Sequence, residues 1–245
     1  MKIDILTLFP EFISTILDWS IIGRACDEHI VEINSINIRD FSKNKHKKVD
    51  DYPFGGGAGM VMQPEPIFDA ISSVKSPNSR VIYLSPQGKS FDQCLANELS
   101  KETHLILLCG HYEGVDNRII ENYVDEEVSI GDYVLTGGEI PAMVLLDSII
   151  RLLPGVLRTD ESFIEDSHYN GLLEYPQYTR PREFNGHCVP EVLLSGNHGR
   201  IKSWRREESL KATLKKRPDL LKDRIFTKEE KVILDKVNSQ LEDKN

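Results

Sequence analysis

Short apolar runs alternate with helical patterns across residues 1–157, and this alternation restricts the fold more than any other feature of the chain. KIDILTLF (Lys2–Phe9) reads as a buried strand. Pro10 follows where a helix can open, and EFISTILDWS has helical spacing. VEINSINI (Val31–Ile38) alternates apolar with polar residues and reads as a strand. RVIYLS and HLILLC are short, apolar and β-rich, as strands are in a sheet covered on both faces. Between them SFDQCLANELSK reads as a helix with Ser90 as its N-cap. GEIPAMVLLDSIIRLLP is a longer helix with Pro141 in its first turn, ended by Pro154-Gly155. The pattern predicts an α/β fold with a mostly parallel sheet and helices on both faces.

Three turns that bear glycine follow short strands: YLSPQGKS (Tyr83–Ser90), CGHYEGVDNR (Cys109–Arg118) and SIGDYVLTGGEIPA. In the last, Tyr133-Val134-Leu135 looks like a strand bracketed by Gly131 and Gly137-Gly138. Glycine at a strand end lets the backbone turn hard, or lets a ligand or another backbone segment come close. Ligands of open α/β sheets bind outside the carboxyl ends of the strands, so three such loops are placed to wall one pocket. The densest glycine stretch, DYPFGGGAGMVMQPEP, matches neither phosphate-loop nor dinucleotide fingerprints. It reads as a loop with close backbone contacts or as an ordinary surface loop.

Residues 157–178 break the alternation, being acidic and rich in turn formers. They read as a linker, which divides the chain into 1–157, a linker over 158–178, and a small α-helical domain over 179–245. SLKATLKKRPDLL and TKEEKVILDKVNSQLE are that domain's helices, separated at Pro218. The linker holds Glu165, Asp166, His168 and Glu174, either solvated or available for acid–base chemistry. Arg151, upstream, either complements a helix C-terminus or offsets charge developing on an oxygen.

The net charge of −9 argues against a nucleic-acid partner until its distribution is considered. Residues 180–231 hold 14 Lys and Arg against 8 Asp and Glu, whereas residues 1–179 hold 14 against 28. The basic part includes Asn197, His198, Arg200, Lys202, Trp204, Arg205 and Arg206. Cations, an aromatic ring and an amide in one segment suit phosphate contact and base stacking, or belong to a small helical domain with a core tryptophan. Near the glycine-dense loop, Lys43, Lys45, His46, Lys47 and Lys48 either meet phosphates or form a charged loop. The four cysteines have no metal-binding spacing and no disulfide pattern, which suits a reducing cytoplasm. No apolar run approaches the ~20 residues that span a bilayer, and the N-terminus lacks the pattern of a signal peptide.

LFPEF, DDYPFGGGAGMVMQPEP, YLSPQG, CGHYEGVD, SIGDYVLTGGEIPAMVLLDSIIRLLPGVL, GLLEYPQYTRP and VLLSGNHGRIKSWR follow one another along nearly the whole chain. In this order they resemble the TrmD family of bacterial tRNA (guanine-N1)-methyltransferases, in the SPOUT class. The resemblance implies an α/β domain ending in a C-terminal trefoil knot that binds S-adenosyl-L-methionine. It implies cofactor contacts from Tyr83, Leu84, Ser85 and Pro86, from Gly110, Tyr112, Glu113 and Gly114, and from Ser129, Ile130, Gly131, Tyr133, Leu135, Gly137, Gly138 and Pro141. It also implies a homodimer with shared active sites and methyl transfer to N1 of guanosine 37 in tRNA, preceded by a guanosine. Asp166 corresponds to the base that removes the N1 proton, and Arg151 to the cation that steadies charge on O6. His46, Asn197, His198, Arg200, Lys202, Trp204 and Arg205 are the expected contacts to the anticodon stem-loop. The resemblance also points to Mg²⁺ as a further cofactor, although the sequence shows no dedicated metal site. His168, Glu174 and Asn117 depart from the family's usual Phe, Asp and Glu. The alternative within the class is transfer to a ribose 2′-OH, which needs no base for an N1 proton. An RNA-binding protein without catalysis is the reading from outside it.

Overall fold

The structure is a computed structural model that describes residues 1–157, 161–222 and 224–242. The chain divides into two compact units, residues 1–160 and 161–245. In the first, β1 (Lys2–Thr7), β2 (Glu32–Asn37), β5 (Ser79–Ser90), β6 (His104–Cys109) and β7 (Glu126–Ser129) form a five-stranded sheet in the order β2-β1-β6-β5-β7. Every pairing in it is parallel. Two minor strands, β3 (Asp50–Asp51) and β4 (Val61–Met62), pair separately and flank the glycine-dense loop.

The two-residue period of the strands sorts their side chains between two cores. Ile3, Ile5, Ile82, Leu84, Leu105 and Leu107 face one side. They pack on residues from α1 (Pro10–Leu17), α2 (Ser20–Asp27), α4 (Gln93–Leu99) and α6 (Glu139–Ile150). Leu6, Val81, Tyr83, Ile106 and Leu108 face the other, against α3 (Pro64–Val74) and α5 (Asn117–Tyr123). Continuous apolar runs such as HLILLC are therefore buried at every position, as the sequence predicts for a sheet covered on both faces.

Some expectations fail locally. Tyr133-Val134-Leu135 is a loop and no strand, because no neighbour pairs with it; Val134 is 84% exposed. The last strand is instead the acidic β7, which has little intrinsic strand character and exists through its pairing with β5. Ser90 belongs to β5, and the cap of α4 is Asp92, which accepts from the Leu95 amide at 2.8 Å. The long helix ends at Ile150, before Pro154.

β5 carries the feature that most shapes the carboxyl edge. Val128 of β7 pairs with Leu84 and again with Lys89, so the backbone between them loops out and returns. On the returning limb a Cβ at Gly88 would lie 2.4 Å from the backbone of Glu127 and Val128. Only glycine permits that approach.

In the second unit, α7 (Glu161–Ile164) precedes an irregular stretch. A hairpin then joins β8 (Glu183–Phe184) to β9 (His187–Cys188) across Asn185-Gly186, both at positive φ, as a tight two-residue turn requires. α8 (Glu191–Leu194), α9 (His198–Lys216) and α10 (Lys228–Glu242) follow. α9 begins eleven residues before the SLKATLKK pattern, with Asn197 as its cap accepting from the Arg200 amide at 3.1 Å. Residues 158–160 of the expected linker lie outside the described residues. The stretch after them is held to α9: the Leu173 amide donates to Thr213 Oγ1 at 2.9 Å, and Ser209 Oγ donates to the Leu173 carbonyl at 2.6 Å. No helix among the described residues is long and apolar enough to cross a membrane.

Candidate active site

Beyond the carboxyl ends of β5, β6 and β7, three loops enclose a cleft of about 220 Å³. They are bonded to one another through their backbones. The Gly138 amide donates to the Gly110 carbonyl at 2.9 Å, His111 and Gly137 form an antiparallel bridge, and the Phe91 amide donates to the Ser129 carbonyl at 2.7 Å. A Cβ at Gly138 would stand 2.6 Å from Cys109 Cα, so this glycine too is fixed by close backbone approach. The glycine-dense loop braces the second loop from outside: the Glu113 amide donates to the Met60 carbonyl at 3.0 Å and the Met62 amide to that of Gly114 at 2.9 Å.

All sixteen positions that the resemblance assigned to a cofactor line this one cleft. Leu84, Pro86, Ile130, Leu135 and Pro141 provide apolar wall, and the glycines add lining without side chains. Such a mixture suits a ligand with a flat apolar ring and polar edges. Burial pushes the Tyr83 phenol up, while the Val115 backbone bonded to it works the other way. Gln87, His111, Val128, Val134 and Thr136 line the cleft too and were not singled out. Gln87, His111, Val134 and Thr136 lie inside the three glycine-bearing motifs, so position in the motif is the one sequence signal for them.

Arg151 caps the C-terminus of α6 in the first unit and is half-buried. Asp166, also half-buried, follows α7 in the second, its amide donating to the Phe163 carbonyl at 3.2 Å. The basic residues divide by task. His198, Arg200 and Lys202 are exposed on the first turns of α9. Arg205 lies over the Tyr175 ring at 4.6 Å and 3.5 Å from Glu165, and Arg206 pairs with Glu230 of α10. Trp204 is half-buried with its ring 6.4 Å from that of Tyr178. His46 is exposed, but its neighbours are partly neutralised: Lys43 pairs with Asp69, Lys47 with Asp40 and Lys48 with Asp51. Among the described residues no group of three or more His, Cys, Asp or Glu is placed to hold a metal ion.

The sequence model of the family described as tRNA (Guanine-1)-methyltransferase TrmD matches residues 1–223. The chain belongs to that family. A curated relative named tRNA (guanine-N(1)-)-methyltransferase from Ruminiclostridium cellulolyticum is 64% identical over 223 residues, covering 90% of this chain and 96% of its own. Relatives of the same name from Alkaliphilus oremlandii and Staphylococcus carnosus are 58% and 55% identical, covering 98% and 100% of this chain and all of theirs. The family's match runs through both units, including the three loops and α9.

Proposed function

We propose that the chain transfers a methyl group from S-adenosyl-L-methionine to N1 of guanosine 37 in tRNA, beside the anticodon and preceded by a guanosine. The observation that carries this reading is the cleft at the carboxyl edge of the sheet, walled by the three glycine-bearing loops that lie within the stretch matched by the family. The cleft's apolar walls and small glycine positions fit an adenosine-bearing cofactor, held by residues of Tyr83–Pro86, Gly110–Gly114 and Ser129–Pro141. When bound, S-adenosylmethionine supplies an electrophilic methyl group on a sulfonium centre.

The rest falls to the protein. N1 of neutral guanine carries a proton, so its lone pair is not free. Asp166 takes that proton as general base. Arg151 steadies the negative charge that develops on O6. Arg151 and Asp166 sit in different units, which suits a homodimer in which one copy's linker and helical unit close over the other's cleft. Exposed Phe9, Phe12, Ile140 and Val144 offer apolar surface for such an interface. The double pairing of Val128, with Gly88 and Gly138 each packed on backbone, supports a trefoil knot in which β5's returning limb and the third loop pass through one another's path. His198, Arg200, Lys202 and Asn197 on α9, with Trp204, Arg205 and the His46 loop, meet the anticodon stem-loop. A tRNA substrate suits an enzyme that works in the cytoplasm.

The test is methyl transfer from labelled S-adenosylmethionine to two tRNA transcripts, one with guanosine at 36 and 37, the other with adenosine at 37. Label on the first alone, recovered as 1-methylguanosine, is expected. Label on both transcripts would overturn the assignment of the target atom and favour transfer to a ribose 2′-OH. In the same assay Asp166→Asn should lower turnover about several hundredfold with cofactor binding preserved, the range of a lost general base.

A further inference from the structure

Glu139 has no role in the chemistry above, yet it is one of the few charged side chains buried among the described residues, 6% exposed. Burying a carboxylate is costly unless something holds it. Two features hold this one. It is the first residue of α6, a twelve-residue helix whose amino end favours a negative charge. It also accepts a hydrogen bond of 2.6 Å from Thr7 Oγ1 at the end of β1, 132 residues away in sequence. Thr7 Oγ1 in turn accepts from the Phe9 amide at 2.9 Å, which fixes the hydroxyl so that its proton points to the carboxylate.

The other carboxylate oxygen lies behind the cofactor cleft. Glu139 Oε2 is 3.9 Å from His111 Nε2. A Cβ at Gly137 would lie 2.4 Å from Glu139 Oε2 and 2.6 Å from the His111 ring. The backbone of Gly137 is therefore packed directly on these two side chains. His111, Thr136 and Gly137 separate the cleft from a second cavity, of about 220 Å³, that Phe9, Phe12, Ile140 and Glu139 line on its far side. His111 also packs its ring 5.0 Å from that of Phe9 and 5.5 Å from that of Tyr112. Glu139 thus joins the end of β1, the second loop and the third loop at one point.

Resting on the function proposed above, we infer that Glu139 is a positioning residue for the cofactor cleft. Through Thr7 on one side and His111 and Gly137 on the other, it fixes the wall against which S-adenosylmethionine packs. It is not among the residues that line the cofactor cleft. Its effect belongs to cofactor affinity and not to the proton transfer, since Arg151 stands at the opposite end of α6 and Asp166 follows α7 in the second unit.

The test compares wild type, Glu139→Ala, Glu139→Gln, Thr7→Val and Thr7→Ser in the full-length protein, by calorimetric titration with S-adenosylmethionine and by steady-state methyl transfer. Glu139→Ala and Thr7→Val should each weaken cofactor binding and raise its KM about tenfold, the effect of one lost hydrogen bond to a charged group. kcat at saturating cofactor should stay within about threefold and KM for tRNA should not move, the pattern of lost uniform binding. Glu139→Gln and Thr7→Ser keep an acceptor and a donor at the same atoms and should restore near-normal affinity. A fall in kcat with cofactor KM unchanged overturns the inference, as does a Gln variant as weak as Ala. Thr7→Val keeps the shape of the buried side chain and decides the matter where Glu139→Ala fails to fold. Wild type that does not bind S-adenosylmethionine overturns the functional reading and this inference with it. Wild type that binds while all four variants match it overturns this inference alone.

Discussion

At the carboxyl edge of the sheet, strands β5, β6 and β7 run out into loops that meet through glycine backbone and enclose a cleft. At the amino edge the same sheet starts on side chains that satisfy one another. Lys2, His104 and Ser79 stand in register across β1, β6 and β5. His104 bridges two of these strands, with Nε2 2.7 Å from Asp4 Oδ2 and Nδ1 2.7 Å from Ser79 Oγ. Asp4, 1% exposed, also accepts from Asn34 Nδ2 at 2.9 Å and lies 3.0 Å from Lys2 Nζ. Beside them Arg80 spans Glu98, Glu102 and Glu126. One edge ends in glycine-bearing loops around a cleft, and the other spends its polar groups on itself. Substitutions at the two edges should therefore separate activity from stability.

The largest separation is expected at Gly138. Gly138→Val forces side-chain atoms into the space of Cys109 and the Gly110 amide, which displaces the second and third loops together. Misplacement on the ångström scale should cost about a hundredfold or more in methyl transfer. Cofactor titration and circular dichroism on the same sample check it. An active variant with a normal fold would mean that the loops tolerate separation, and the cleft would no longer be defined by close backbone approach.

At the other edge, Asp4→Asn removes the charge on which three donors converge. Hydrogen bonds to a charged group are worth more than neutral ones, and the substitution should cost about 2 kcal/mol of stability. Denaturant unfolding reads this directly. KM for the cofactor, measured well below the melting temperature, should not change. A raised KM would show that the two edges are mechanically coupled and weaken the contrast between them.

The two edges also differ in how far the sequence revealed them. The carboxyl edge was readable because glycines after β-rich runs are local signals, and because the loop motifs are long enough to carry a family resemblance. The sixteen assigned positions accordingly fall on one cleft. What stayed hidden there depends on distant partners. Nothing local says that Glu139 turns inward, because Thr7 is at the other end of the domain. Tyr133-Val134-Leu135 has strand propensity but no strand to pair with, and β7 has a partner but little propensity. The polar cluster of the amino edge left no local sign, since Asp4 and His104 are 100 residues apart in the sequence. In the second unit, acidic residues without periodicity resembled a linker, yet Leu172 is buried and Leu173 is bonded to α9.

The smallest effect belongs to Arg80, and its dependence on pH identifies its source. Burial alone would lower the affinity of the guanidinium for its proton, but hydrogen bonds to Glu98, Glu126 and Glu102 raise it instead. The reciprocal effect falls on Glu98, whose carboxyl is held below its ordinary value of 4.5, first by the hydrogen bond from Arg80 and then by its charge. A carboxylate whose folded-state value is depressed contributes stability above its unfolded value and loses it as pH falls through the folded one. Arg80→Ala should therefore lower stability by about 1 kcal/mol at neutral pH, as expected of a partly exposed network. The melting temperatures of wild type and variant should converge as the pH is lowered below the ordinary carboxylate range. A gap that stays constant with pH would assign the loss to packing of the Arg80 stem instead of to its charge, and the amino edge would then be held by shape more than by ion pairing.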